Sequence, residues 1–314
     1  MAPSWEAPLR AWPHLPILIS RRSPKGRCAG DRCASAGNHA SDAAPRPLSD
    51  APLAALAALR WVLTDIDDTL TEAGRLPSAT LAAMEALAEA GIEVVPVTGR
   101  PAGWCDAIAR QWPVAAVVGE NGALWYAEDR RARPMLRWQA QPEATRLADR
   151  ARLMALAEAA IAAVPGARMA ADQPFRLFDA AVDFAEDAGP LDRDAAARVA
   201  EVFRNGGAQA RISSIHVNAW FGDWDKLSGI ASLFAARFRP LDAVLDRVAF
   251  VGDSPNDAPM FGAIPFSVGV ANAVPFLPMM EAQPAYLTRA AGGAGFAELA
   301  GAVLAARTAA RIPA

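Results

Sequence analysis

Cysteine is scarce, with three in 314 residues. Cys28 and Cys33 form a C-x₄-C pair in a polar stretch and Cys105 is remote, so neither a zinc pattern nor a disulfide framework is implied. A reducing, cytoplasmic setting is the expectation. Long apolar runs are also missing. The longest early one, Leu15–Ile19, is too short to span a bilayer, and it precedes its arginines, the wrong order for a secretory signal. The expectation is a protein with no membrane segment. Excess positive charge is absent too: a net charge of −3 and a pI near 5.7 argue against a nucleic-acid footprint. No internal repeat is visible.

What is present describes a globular chain. Hydrophobic residues make up 53% and charged residues 21%, enough for one large or two moderate domains. Residues 1–55 are rich in Pro, Ala, Ser and Arg without sustained period. They read as a disordered tail or an over-extended start.

The folded part is expected near Leu56, and it centres on the stretch Trp61–Thr71. A short apolar run there passes directly into Asp65, Asp67 and Asp68, as a buried parallel strand ending in a polar turn would. Ligands of open α/β sheets bind just beyond the carboxyl ends of the strands. Carboxylates this close repel unless a cation or proton neutralises them, and hard oxygen donors of this kind suit Mg²⁺. A helix follows over 78–91, with Ser78 as its N-cap and Gly91 as its stop, then a strand over 92–97 ending in Thr98-Gly99-Arg100, a helix over 102–111, and a strand over 114–118. That alternation predicts right-handed crossovers and a parallel sheet.

The rhythm then changes. A hairpin-like piece over 123–138, a helix over 143–164, short strands at 167–170, 175–178 and 181–185, and a helix over 192–205 suggest an α+β insert over 123–213. The first rhythm returns with a strand at 215–220, a helix opening at Asp225-Lys226, and a strand at 248–251 running into Gly252-Asp253-Ser254-Pro255-Asn256-Asp257. Strands at 266–270 and 285–288 and a closing helix over 295–306 complete it. The predicted fold is α/β: a Rossmann-like three-layer α/β/α core with a parallel sheet, formed by 56–122 and 214–308, plus an inserted α+β cap.

Asp65 and Asp67, Thr98, Lys226, and Asp253 with Asp257 thus fall on one edge of one sheet. Singly each has a plain reading as turn, cap or solvated lysine. Together they resemble the haloacid dehalogenase superfamily, in the subgroup (IIB) whose α+β cap lies between the second and third motifs. The motifs are Asp65-Ile66-Asp67-Asp68-Thr69 (D-x-D-x-T), Thr98 in V-T-G-R, Lys226 in G-D-W-D-K, and Gly252–Asp257 (G-D-x-x-N-D); Glu120-Asn121-Gly122 is also similar to this subgroup. Asp68 stands where many relatives carry glycine.

The resemblance implies a Mg²⁺-dependent phosphatase acting on a small phosphorylated metabolite, with a sugar phosphate as the first expectation. Asp65 would be the nucleophile forming an aspartyl-phosphate, and Asp67 the acid and base. Thr98 and Lys226 would neutralise the phosphoryl oxygens. Asp65, the Asp67 carbonyl and Asp253 would hold the metal, with Asp257 orienting Lys226 or a metal-bound water and Asn256 contacting phosphate or metal water. Gly99, Arg100, Asn121 and Asn218 complete the candidate phosphate and substrate contacts. Trp104 and His216 are further rim candidates, Arg176 and Asp183 possible readers of the substrate, and Trp125, Trp220 and Trp224 possible stacking surfaces. The expected partner is a small phosphate ester, with the protein a monomer or homodimer. Two alternatives stand beside this reading: a phosphosugar mutase, and a non-catalytic metabolite-binding module on the same fold.

Overall fold

The computed structural model describes residues 44–128 and 134–311. Most of the expected tail, and with it the Cys28/Cys33 pair, lies outside the described residues. Its last part is folded. Arg46–Pro47 (β1) pairs in parallel with the far strand of the sheet, and Leu48 and Ala51 enter the core. The described fold therefore includes chain at least ten residues before Leu56, because a short edge strand needs no apolar run to announce it.

The described elements continue as Leu53–Ala58 (α1), Trp61–Thr64 (β2), Ser78–Glu89 (α2), Glu93–Pro96 (β3), Ala102–Gln111 (α3), Val117–Gly119 (β4), Leu124–Glu128 (β5), Met135–Gln139 (β6) and Glu143–Ala163 (α4). Then come Arg168–Met169 (β7), Ala180–Asp183 (β8), Arg193–Asn205 (α5), Gln209–Ile212 (β9), His216–Trp220 (β10) and Lys226–Arg237 (α6). Val248–Gly252 (β11), Ala258–Ala263 (α7), Phe266–Gly269 (β12), Tyr286–Leu287 (β13) and Gly292–Arg311 (α8) close the chain.

The main sheet is parallel, in the order β1-β13-β12-β11-β2-β3. Alternate side chains of each strand feed two apolar layers, as the two-residue period of a pleated strand requires. From β2, Val62 joins Met84, Leu87, Phe296 and Leu299 of α2 and α8. Trp61 and Leu63 instead join Ile230, Phe234, Met260 and Phe261 of α6 and α7. This is the three-layer core that the sequence predicts.

Three assignments need correcting. The 123–138 hairpin is not cap. A parallel bridge, Val97 to Val118, carries the main sheet on to β4, and β5 and β6 extend it antiparallel. Trp125 is buried with Ile230 and Leu233 of α6, which fixes the hairpin to the core. Conversely, β10 was expected in the core but is an inner strand of the cap sheet, order β7-β8-β10-β9, antiparallel throughout. A strand buried on both faces reads alike in either sheet, and β9, its hairpin partner, was not anticipated. Residues 175–178 are not a strand: Pro174 sits in a 3₁₀ turn over Gln173–Phe175 and offers no N–H to a ladder. The four strands of the cap sheet fall between Arg168 and Trp220, with α4 just before them. The cap's own core unites α4 and α5 with β8, β9 and β10 through Leu153, Ala157, Val199, Phe203, Val182, Ala210 and Val217.

Candidate active site

The carboxyl ends of β2 and β11 bring the first and fourth motifs together. After Thr64, the Asp65 amide still pairs with the Val251 carbonyl (2.9 Å), and the chain then folds over the Ile66 carbonyl, which accepts from Leu70 N and Thr71 N. That tight loop requires Asp68 at φ +58°. Left-handed backbone is why glycine suits the position, and Asp is among the few other residues that tolerate it. Burial raises the Asp68 carboxyl above its usual range.

Asp65, Asp253 and Asp257 are all buried and each offers an oxygen within 4.8 Å of the others'. Lys226 Nζ lies between two of them, 2.7 Å from Asp65 Oδ1 and 2.8 Å from Asp257 Oδ1. The lysine opens α6 behind Asp225, whose side chain accepts from Ser228 N in a capping box. Gly122 makes that placement feasible. At φ +104°, it lets the chain pass so close to α6 that a Cβ there would lie 1.9 Å from the Asp225 carbonyl oxygen. Burial pulls the Lys226 ammonium down, but Asp257 and Asp65 outweigh it and the net shift is upward.

The lysine does not balance three carboxylates. Burial, opposed by Lys226 and reinforced by Asp257 and Asp67, pushes Asp65 up to about 7. Asp253 is held well above its usual range by burial, then by Asp257 and Asp65. This is the electrostatic profile of a group of hard oxygen donors that suits a divalent cation. Within the trio Asp257 has the least capacity left. One of its oxygens takes Lys226 and the other accepts from Asp253 N (3.1 Å) and Ser254 N (3.3 Å), which makes it an orienting group more than a ligand. Asp65 and Asp253 keep free lone pairs. Asp253 also accepts from Thr69 Oγ1 (3.1 Å), so the threonine of the first motif braces the fourth. Asn272, which the sequence did not single out, donates to Asp253 Oδ2 (3.3 Å) and to the Asp68 carbonyl (2.9 Å).

The cleft above this group is lined by Asp65, Asp67, Gly99, Arg100, Asn121, Ser254 and Asn256 from the core, and by Arg211, Ser213, Ser214, Ile215, His216 and Asn218 from the β9–β10 hairpin. The cleft thus lies between core and cap and opens to solvent. Thr98 is fully buried, with its hydroxyl accepting from Arg100 N (3.0 Å). Asn121, itself left-handed at φ 55°, holds the Thr98 carbonyl through its amide (3.0 Å), while its buried Nδ2 has no protein partner. That leaves a donor at the cleft for a ligand oxygen. Asn218 is fixed by donating to Asp179 Oδ2 (2.9 Å), and Asn256 accepts from Ser254 Oγ.

Several expected contacts are committed elsewhere. Arg100 lines the cleft, but its guanidinium is bound by Asp67 and Glu186 and stacks over Trp104 at 4.4 Å. Arg176 is wholly buried between Asp172 and Asp179 and donates to the Gly99 carbonyl (2.9 Å), so it braces the second motif from the cap side. Asp183 accepts four backbone N–H bonds from residues 185–188 and has nothing left for a substrate. Trp125, Trp220 and Trp224 are core side chains, not stacking surfaces.

Glu120 does more than its motif suggested. Its carboxylate accepts from Ala102 N (2.9 Å), Leu177 N (2.9 Å), Phe178 N and Asp179 N (3.1 Å), tying the core to cap loop 177–179. Burial, then Asp179, pushes it up to about 7 against the pull of those donors. Glu186 and Asp179 had no sequence signal at all, since both lie in a segment of the cap without a motif.

Residues 62–144 match the family model for haloacid dehalogenase-like hydrolase. No curated protein matches the chain in sequence. Among solved structures, a putative HAD/COF-like hydrolase from Plasmodium vivax is similar at 19% identity and TM-score 0.58, covering 80% of this chain and 98% of that one. The sucrose-phosphatase of Synechocystis, solved with sucrose and phosphate, gives 14% and 0.53 over 77% and 97%. A sugar phosphatase of HAD subclass IIB gives 15% and 0.52 over 81% and 100%. At such identities these are likenesses of fold. Among the described residues no helix is long and apolar enough to cross a membrane.

Proposed function

We propose that this chain, a haloacid dehalogenase-like hydrolase by its matched segment and its fold, is a Mg²⁺-dependent phosphomonoesterase. Its substrate is a small phosphorylated metabolite, a sugar phosphate first, and it works in the cytoplasm. The observation that carries the reading is the buried group of Asp65, Asp253, Asp257 and Lys226, in which one ammonium pairs with two of three carboxylates.

In this reading Asp65 attacks the phosphorus in line, its Oδ1 oriented by Lys226. The P–O bond to the leaving group breaks as Asp67 gives that oxygen a proton, and an aspartyl-phosphate remains on Asp65. Asp67, now ionised, takes a proton from the water that attacks the same phosphorus, releasing phosphate and regenerating Asp65. Lys226, the Thr98 hydroxyl and the free Asn121 Nδ2 supply positive potential and donors for the phosphoryl oxygens. Mg²⁺, held by Asp65, Asp253 and the Asp67 carbonyl, would neutralise the carboxylates and the phosphoryl charge. Ser213 and Ser214 line the cleft from the cap side, with the Ser213 hydroxyl committed to His216 in its own turn.

The test is phosphate release from a panel of phosphate monoesters, with and without Mg²⁺, beside Asp65→Asn. Mg²⁺-dependent release that disappears in the variant supports the proposal. A folded protein that releases no phosphate from any ester overturns it, and a sugar-bisphosphate exchange assay would then separate a mutase from a binding module.

A further inference from the structure

A single line of charge-assisted bonds runs from Asp67 into the cap. Arg100 Nε and Nη2 grip both Asp67 oxygens at 2.8–3.0 Å. The far edge of the same guanidinium meets Glu186, with Nη2 2.8 Å from Oε1 and Nη1 3.3 Å from Oε2. Arg100 is 3% exposed, while Asp67 and Glu186 keep 22% and 30% of their side-chain surface. Glu186 is held from behind. The Asp183 carboxylate accepts from the amides of 185, 186, 187 and 188 at 2.8–2.9 Å, which turns the chain at the end of β8 and aims residue 186 at the core. His216, opposite Asp183 on β10, brings its Nε2 within 2.8 Å of Glu186 Oε2, though poorly aligned for a hydrogen bond.

We infer that Glu186 is a positioning residue through which the cap fixes the orientation of Asp67, with Arg100 as the rigid link. The inference rests on the role proposed for Asp67. A planar guanidinium held on two edges by two carboxylates has one orientation, and a carboxylate in its fork takes that orientation with it. Without Glu186 the nearest remaining cap carboxylate to Arg100 is Asp172, 3.6 Å from Nη1 and already bound to Arg176. The guanidinium then turns toward Asp172 and draws Asp67 off line. The Arg100–Glu186 contact crosses from core to cap at the cleft, so Asp67 keeps this alignment only while the cap holds its place.

The experiment compares the full chain with Glu186→Gln, Glu186→Asp and the loop control Asp187→Asn. Steady-state phosphate release is measured on the best ester of the panel, and backbone hydrogen exchange is measured on each protein. The expected result is a kcat lowered about tenfold in Glu186→Gln with KM changed less than about threefold, and partial recovery in Glu186→Asp. Exchange should quicken in core residues 65–71, which Glu186 does not touch, as well as in the cap loop. An unchanged or raised kcat in Glu186→Gln, or exchange altered only within 183–188, overturns the inference. If the wild type releases no phosphate, the proposed function falls, and the exchange at 65–71 alone decides whether Glu186 positions Asp67.

Discussion

Lys226 Nζ is hydrogen-bonded to Asp65 at 2.7 Å and to Asp257 at 2.8 Å, with all three side chains buried. One ammonium thus spans the carboxyl ends of two neighbouring strands. Removing it leaves buried carboxylates without a counter-charge. Lys226→Met is expected to lower stability by about 3–5 kcal/mol, the usual range for breaking a buried ion pair from one side. Urea unfolding in the absence of metal checks this, and added Mg²⁺ should recover part of the loss.

Metal binding should itself be visible without turnover. Ligation to the native state alone adds about 2.7 kcal/mol at a hundredfold excess over Kd, a rise in Tm of about 5–10 °C. Asp253→Asn should abolish that rise. A Tm shift of normal size in Asp253→Asn would remove Asp253 from the ligand set.

Gly122 is where backbone and site geometry meet. At φ +104° and with the Asp225 carbonyl so close, Gly122→Ala combines strain with a clash and must push the start of α6, and Lys226 with it, away. The expected cost is about 3 kcal/mol or more, and activity falls with it. Denaturant midpoints and phosphate release measure the two effects on one sample.

The cap contact has a pH signature of its own. The close approach of His216, 2.8 Å away, with help from Arg100, holds Glu186 down at about 2 from its ordinary 4.5. A depressed carboxyl stabilises the native state above its unfolded pKa, and that contribution disappears as pH falls from about 4.5 to about 2. Thermal melting against pH should therefore show an acid limb in the wild type that is shallower in Glu186→Gln. Parallel curves would show that the contact contributes nothing to stability.

The parts of the site that were legible in the sequence are those fixed by strand ends. Asp65, Thr98 and Asp253 follow apolar runs whose burial period is local, so position along the chain determines position on the sheet edge. What could not be read depends on which sheet an element joins. The run 216–220 is apolar enough for either sheet, and only the antiparallel register with Asp183 and Ile212 makes it cap. The same holds for Glu186: an acidic residue in a polar loop gains meaning only when Asp183 bends that loop and Arg100 arrives from residues far earlier in the chain. Asp183 and Arg176 were legible as notable residues, but their partners turn out to be backbone amides and buried aspartates.

The central claim is that Asp65 carries the phosphoryl group. It is tested most directly by acid-quenching the enzyme during turnover of a ³²P-labelled ester and mapping the label to a peptide. The account predicts hydroxylamine-labile label on the peptide containing Asp65 in the wild type and none in Asp65→Asn. Label on another residue, or a wild type that turns over without ever becoming labelled, would contradict it.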